Sequence, residues 1–427
     1  MQEIKKSNLG LITLLFIIIV SYILGFYLNE DSAGGGKIDY INHEWGTIQL
    51  FIKNDISTVL SSILYASSRT PLFYIVNKFI PFNNDIENLR LFWFIFSSTI
   101  PFLFYFTLKI VASKKINEAY IFLFSFIILL SPYFRTNAYW PSSENMLIFF
   151  VILSLFFYFL LIDKKNQNKF ELYIFSSLSI ISAYCAFYTD QKAFFLVALI
   201  YFDLIRRNNL TFFFIFSFFN VLLFLPSIYL FLSWGGLVPV ESQFRVSRYT
   251  QGTNILVSTL GIYFALIFFS NFLKINFFNE KKFNRIDLFL IFILSIFLFF
   301  TLPTTPINFG SGIISKLIGV ISIKFNLDWN IVKYIYFCIN LLFIGIIIIL
   351  VEKNLKNLVI FSSFLLIYNL TSITYQSYVD PIFYIIILTI LNFKNNINIL
   401  NKRMAYLFLM FYSFMLCGSI LFRTYVT

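Results

Sequence analysis

Four long apolar runs, Leu9 to Leu28, Met146 to Ile162, Leu210 to Ser233 and Ile331 to Val351, limit what this chain can fold into. Each is close to the ~20 residues that a helix needs to cross a bilayer's hydrocarbon. Segments of this kind recur along the sequence, and no soluble core could absorb them. Hydrophobic residues make up 59% of the 427, and only 12% are charged, against about 25% charged in an ordinary soluble domain. The expectation is an all-α fold: a polytopic transmembrane helical bundle of thirteen helices and about 11–13 spans, forming a single integral membrane domain over residues 1–427. The first run has no clear A-x-A site before the polar loop, so it reads as a retained helix and not a cleaved signal peptide.

A net charge of +12 raises the question of nucleic acid, and the location of the charges answers it. With the N-terminus placed inside by Lys5 and Lys6, and sides alternating at each span, the cytoplasmic segments hold 19 basic and 8 acidic residues. The opposite side holds 13 basic and 12 acidic. The excess is therefore topological, as the positive-inside rule describes, and nucleic acid is not an expected partner. The three cysteines, Cys185, Cys338 and Cys417, lie in apolar stretches without CxxC spacing and read as small core residues.

Four outer segments are too long or too polar for simple turns: 29–87, 135–142, 234–252 and 303–329. The first is acidic and glycine-rich at its start, then alternates apolar and polar residues at the spacing of helices lying in the membrane interface. The 303–329 loop carries a similar amphipathic pattern around Ile313, Ile314, Leu317, Ile318 and Ile321, and 234–252 is a basic loop. All five tryptophans fall at outer ends of the spans, where an interfacial belt would place them.

The first loop holds Glu30, Asp31, Asp39, Glu44, Asp55, Asp85 and Glu87. A partly desolvated carboxylate can act as a general base, although most acids in such a loop simply keep it in water. Asp39 stands out because the sole histidine, His43, follows it by four residues after the Gly34–Gly35–Gly36 turn. No second histidine or cysteine completes a zinc set, so neither a metal nor a cofactor is expected. Cations cluster at helix ends facing the same side: Arg135, Lys192, and the pair Arg245 and Arg248, with Arg69 in the SSRTP stretch. For Arg135 and Lys192 the plain alternative is local pairing with Glu144 and Asp190. Arg245 and Arg248 have only Glu241 nearby, which leaves charge for a phosphate at the headgroup level.

This layout resembles the GT-C class of membrane glycosyltransferases, and more particularly the family of the dolichyl-phosphate-glucose-dependent alpha-1,2-glucosyltransferase. That family carries an Asp-Glu pair followed by histidine in the first loop. Here Asp39 and His43 keep the spacing, Tyr40 stands in place of the Glu, and Glu44 is the acid that could compensate. Weaker likenesses are SSRTPLFYIV at 67–76, AFYTDQKAFFL at 186–196 and YQSYVDP at 375–381. The resemblance implies a polyprenyl-phosphate sugar donor, a lipid-linked glycan acceptor and contact with membrane lipids. It implies catalysis by Asp39 with Glu44 and His43, and donor binding by Arg245, Arg248, Arg135, Lys192 and Arg69. The Lys, Asn, Ile and Phe bias points to a bacterial cytoplasmic membrane with the site on its extracytoplasmic side. A capsule or O-antigen polymerase, or a lipid-linked oligosaccharide flippase, would share the many-span composition. The polymerase usually keeps its large loop later in the chain, and the flippase needs charge within its spans.

Overall fold

The computed structural model describes every residue except 1, 63, 66, 113–115, 164–167, 246–251, 273–284, 303–311, 370–375, 377–378, 395–396, 398 and 427. Among the described residues helix predominates and there is no strand, only one isolated bridge between Val351 and Phe393. The chain divides into two compact units, residues 1–243 with 408–427, and residues 244–407.

In the first unit α1 (Gln2–Tyr27) leads into the long loop, which folds as four short helices, α2 (Gly36–Asp39), α3 (Trp45–Lys53), α4 (Ile56–Leu60) and α5 (Leu72–Phe79). Then come α6 (Ile86–Val111), α7 (Glu118–Phe126), α8 (Pro132–Tyr139), α9 (Ser143–Asp163), α10 (Lys169–Thr189), α11 (Phe194–Arg207) and α12 (Leu210–Trp234). Their starts are written in the sequence. Asp85, Asn117, Ser131, Asn168 and Asn209 each accept a backbone N–H from the first turn of the helix they precede, a cap that stabilises by about 1 kcal/mol. Helix α12 ends at Gly235, whose φ of 64° a side chain would resist.

The helical stretch Glu118–Leu130, which begins with α7, and helix α8 are bent by 65° against each other. The cause is Pro132, which has no N–H to donate and holds Ser131 in an extended conformation. Residues 135–139, expected to be loop, are therefore helical, and the bend turns Arg135 toward α1. Helices α9 and α10 approach closely where Ser154 and Ser179 exchange hydroxyl-to-carbonyl hydrogen bonds at 2.8 and 2.9 Å. Small residues at a crossing permit that approach.

The second unit contains α13 (Gly252–Phe272), α14 (Arg285–Phe300), α15 (Ile313–Lys324), α16 (Trp329–Leu350), α17 (Leu355–Asn369) and α18 (Ile382–Thr389). A buried amide joins three of its elements. Asn254 Nδ2 donates to the Leu298 and Thr301 carbonyls at 3.2 and 2.9 Å, and its Oδ1 accepts from Asn340 at 3.1 Å. Within the 303–329 segment Ile313–Lys324 is helical as α15, with Ser315 and Ile318 buried and Leu317 and Ile321 exposed. The last helix, α19 (Lys402–Val426), returns to the first unit, where Ser419 donates to the Ser32 carbonyl.

Among the described residues eight helices are long and apolar enough to cross a membrane, or nine if the bent pair is one span. The helices Asp287–Phe300 and Leu355–Leu366 are apolar but shorter than this, so the spans shown among the described residues are fewer than the 11–13 expected. Several of these helices expose broad apolar faces, α12 through Leu210, Phe214, Phe218 and Leu232, a surface that suits lipid and not water. The chain is a multi-pass membrane protein.

Two expectations change. Trp93, Trp140 and Trp234 do not line a lipid belt but are buried, their indole N–H groups donating to Asn77 Oδ1, the Glu30 carbonyl and the Leu60 carbonyl at 2.8–3.1 Å. Each ties the first loop to the helix bundle. Cys338 and Cys417 lie on exposed helix faces and not in a core.

Candidate functional site

The loop 29–87 is anchored before it presents anything. Asp31 turns its carboxylate onto the backbone N–H groups of Gly34, Gly35, Gly36 and Lys37 at 3.0–3.3 Å. Gly34 and Gly35 make this possible at φ 83° and 86°, conformations that other residues resist. Gly36 then passes so close to α8 that an added Cβ would lie 2.2 Å from Thr136 Cγ2.

From Gly36 the backbone runs helically to Lys53, with a π-turn over Tyr40–Glu44, where the Trp45 N–H bonds the Tyr40 carbonyl. Such insertions in a helix recur at functional sites. Here the turn holds the proposed acidic motif. Asp39 and His43 are exposed, Tyr40 is buried, and Glu44 points into the protein.

Most of the loop's acids have structural work. Glu30 pairs with Arg135, Asp31 closes the glycine turn, Asp85 caps α6, and Glu87 pairs with Arg90. Asp55 precedes α4 without a side-chain cap bond. Asp39 and Glu44 are left for chemistry, and only Glu44 is withdrawn from solvent.

Glu44 belongs to a cluster assembled from four segments at one end of the helices. Its Oε2 accepts the Tyr74 hydroxyl at 2.6 Å, and its Oε1 lies 3.4 Å from Arg69 Nη1. The other arm of Arg69 pairs with Glu144, which also accepts from Ser142. Beside them Lys192 pairs with Asp190 at 3.1 Å. The scaffold holds these segments together through backbone oxygens: Thr70 donates to the Phe187 carbonyl at 2.7 Å, Gln191 to Ser68 at 2.6 Å and Tyr65 to Arg69 at 2.6 Å. At the opposite end Lys109 pairs with Glu118 and Arg207 with Asp203, at 2.5 and 2.6 Å.

The electrostatics follow from burial. Desolvation pushes the Glu44 carboxyl above the usual carboxylate range, with Arg69 and the Tyr74 hydroxyl offsetting part of the rise and Glu144 and Asp39 adding to it. Burial opposes the Arg69 charge, but Glu144 and Glu44 outweigh it and hold the guanidinium firmly protonated. Burial also pushes Lys192 down, against the pull of Asp190. Glu44, Arg69 and Lys192 are the more reachable part of the cluster, their side chains 16%, 17% and 21% exposed, while Glu144 and Asp190 are 10% and 1%. The arrangement can accept a proton at Glu44 and stabilise negative charge at Arg69 and Lys192.

Glu44, Arg69 and Lys192 are thus brought together, with Asp39 close enough to influence Glu44. Lys192 takes the Asp190 partner that local pairing anticipates. Arg135 does not pair with Glu144. All of its N–H groups are engaged with Glu30, Ser21 and the Leu129 carbonyl, so it fastens α8 to α1 and has no donor left for a ligand. Arg248 lies outside the described residues, as does the side chain of Arg245, whose backbone closes a short helical turn over Val240–Arg245. Sequence reasoning missed Tyr74, Tyr65 and the tight role of Glu144. A signal existed: the segments SSRTP, PSSEN and YTDQK all fall at the same end once the spans alternate.

Comparison of the chain with protein-family models, with curated proteins and with solved structures returns no match.

Proposed function

We propose that the chain is a membrane glycosyltransferase of the GT-C type. In this reading it moves a sugar from a polyprenyl-phosphate donor to a lipid-linked or cell-surface glycan acceptor, on the extracytoplasmic face of a bacterial cytoplasmic membrane. The observation that carries the proposal is the convergence of a largely desolvated carboxylate, Glu44, with two cations, Arg69 and Lys192, at one end of the spans.

The chemistry assigns each a part. An acceptor hydroxyl gives its proton to Glu44 as its oxygen attacks the anomeric carbon, and the bond from that carbon to the phosphate oxygen breaks with inversion. Charge develops on the departing polyprenyl phosphate, where Arg69 and Lys192 stabilise it. Asp39 and His43 stand at the exposed rim of the same helix, suited to meet the acceptor. The cytoplasmic excess of basic residues supports the orientation.

The test is purified protein in lipid nanodiscs, supplied with synthetic polyprenyl-phosphate hexoses and a lipid-linked glycan acceptor. Release of polyprenyl phosphate together with a lengthened glycan is expected. Release of a polyprenyl diphosphate from an oligosaccharide donor would point to a polymerase instead, and movement of intact donor across the membrane without bond cleavage to a flippase.

A further inference from the structure

The turn that supplies Asp190 and Lys192 also carries Gln191, whose amide is unequally used. Its Nε2 donates to the Ser68 carbonyl at 2.6 Å, which fixes the orientation of the amide, because only the nitrogen end can donate to a carbonyl. Its Oε1 is buried and has no hydrogen-bond partner. A buried acceptor left without a donor is destabilising, and native proteins keep few of them. The turn offers Gln191 little freedom to find another partner. Asp190 accepts the Lys192 N–H at 2.9 Å, and Thr70 fastens the preceding turn of α10 through the Phe187 carbonyl.

The position of this acceptor gives it meaning. Gln191 is the chain neighbour of Lys192, and the Ser68 it grips is the neighbour of Arg69. An anion held by the two cations would bring whatever it carries to this turn. A glycosyl group carries several hydroxyl donors, whereas a polyprenyl chain carries none.

We propose that Gln191 is a specificity-determining residue of the site, its Oε1 accepting a hydroxyl of the sugar whose phosphate Arg69 and Lys192 hold. This rests on the glycosyl-transfer reading and adds to it a residue that reads the sugar.

The experiment measures binding of three ligands to the full chain in nanodiscs: a short polyprenyl phosphate carrying glucose, the same lipid carrying mannose, and the bare lipid phosphate. The wild-type protein is expected to prefer at least one sugar-bearing lipid. Gln191→Leu should lower that affinity by roughly three- to tenfold more than it lowers the affinity for the bare lipid phosphate. On wild-type protein, one member of a monodeoxy donor series should show a loss of the same size, which needs no variant to fold. Equal losses for sugar-bearing and bare lipids would mean that Gln191 merely holds Ser68 and would overturn the proposal. So would an unaltered affinity, the result expected if water satisfies Oε1. Absence of binding for all three lipids by the wild-type protein would sink the glycosyl-transfer reading itself.

Discussion

Arg135 on α8 and Glu30 at the end of α1 face each other prong to prong, guanidinium Nε and Nη2 meeting the two carboxylate oxygens at 2.8 and 2.5 Å. Gly25 lies directly beneath this pair. A Cβ there would sit 2.5 Å from both Arg135 Nη2 and Glu30 Oε2, and 2.6 Å from the Tyr139 hydroxyl. The pair therefore depends on a missing methyl group one helical turn away. Gly25→Ala should destabilise the protein by about 1–3 kcal/mol, and Arg135→Met, which strands Glu30, by about 3–5 kcal/mol. Thermal unfolding in detergent checks both; an unchanged midpoint for Arg135→Met would remove the structural role given to it.

Glu44→Gln should abolish sugar transfer, whereas Asp39→Asn should reduce it and leave measurable turnover. The same Glu44 variant has a stability signature. Because burial raises the folded carboxyl above its ordinary value of 4.5, the folded state holds this proton more tightly than the unfolded one. The stability linked to Glu44 is present below about pH 4.5 and is lost as the pH rises through the raised folded value. Glu44→Gln should accordingly be more stable than wild type at pH 7, by on the order of 1 kcal/mol, and the advantage should vanish in acid. Denaturation series at several pH values would show it; a variant less stable at pH 7 contradicts the account.

The acid limb of the transfer rate is set by the same group. In the proposed reaction the proton acceptor is ionised Glu44, so the rate should rise with pH through a midpoint above 4.5. Lys192 acts at the other extreme. Its ammonium deprotonates below its ordinary 10.5, so donor affinity should begin to fall in alkali earlier than an exposed lysine would allow. Lys192→Arg, which keeps its charge, should push that fall to higher pH.

Arg69 divides its charge between two carboxylates, and removing it leaves both without their main counter-charge. Arg69→Met should cost about 3–5 kcal/mol, while the double variant Arg69→Met, Glu144→Met should recover a large part of that loss. A double-mutant cycle by chemical denaturation measures the coupling. Additive losses would show that the pair is not a unit.

The helical, many-span character of this chain was legible because lipid leaves few alternatives: a run such as Leu210 to Ser233 can satisfy its backbone only by becoming helix. Capping signals such as Asn168 and Asn209 were equally plain. The bend at Pro132 was local too, yet its result, burial of Arg135, Thr136, Ala138 and Tyr139, depends on what α8 packs against. The site was half visible. Glu44, Arg69 and Lys192 could be nominated by residue type and loop position, but Arg135 has the same type and position and serves the scaffold instead. Which carboxylate a guanidinium meets is decided by helix packing over more than a hundred residues of chain, as Arg135 and Glu30 show, and spacing does not encode it. Tyr74 escaped notice because a tyrosine in an apolar stretch looks like core until its hydroxyl is found on Glu44.

The π-turn over Tyr40–Glu44 has a consequence for how this segment can vary between related chains. In an α-helix, residues five apart lie about 140° apart around the axis, and His43, four residues on, would be the one aligned with Asp39. The wider turn, closed from Trp45 to Tyr40, draws position 44 back toward the line of Asp39. A single-residue deletion between 40 and 43 would relax the turn to an ordinary helix without breaking it, and would leave the Glu44 carboxylate four residues after Asp39 and still on its face. The wide turn therefore carries one extra residue without losing the register of the two carboxylates, so related chains should vary in length here by one amino acid more readily than they vary at positions 39 and 44.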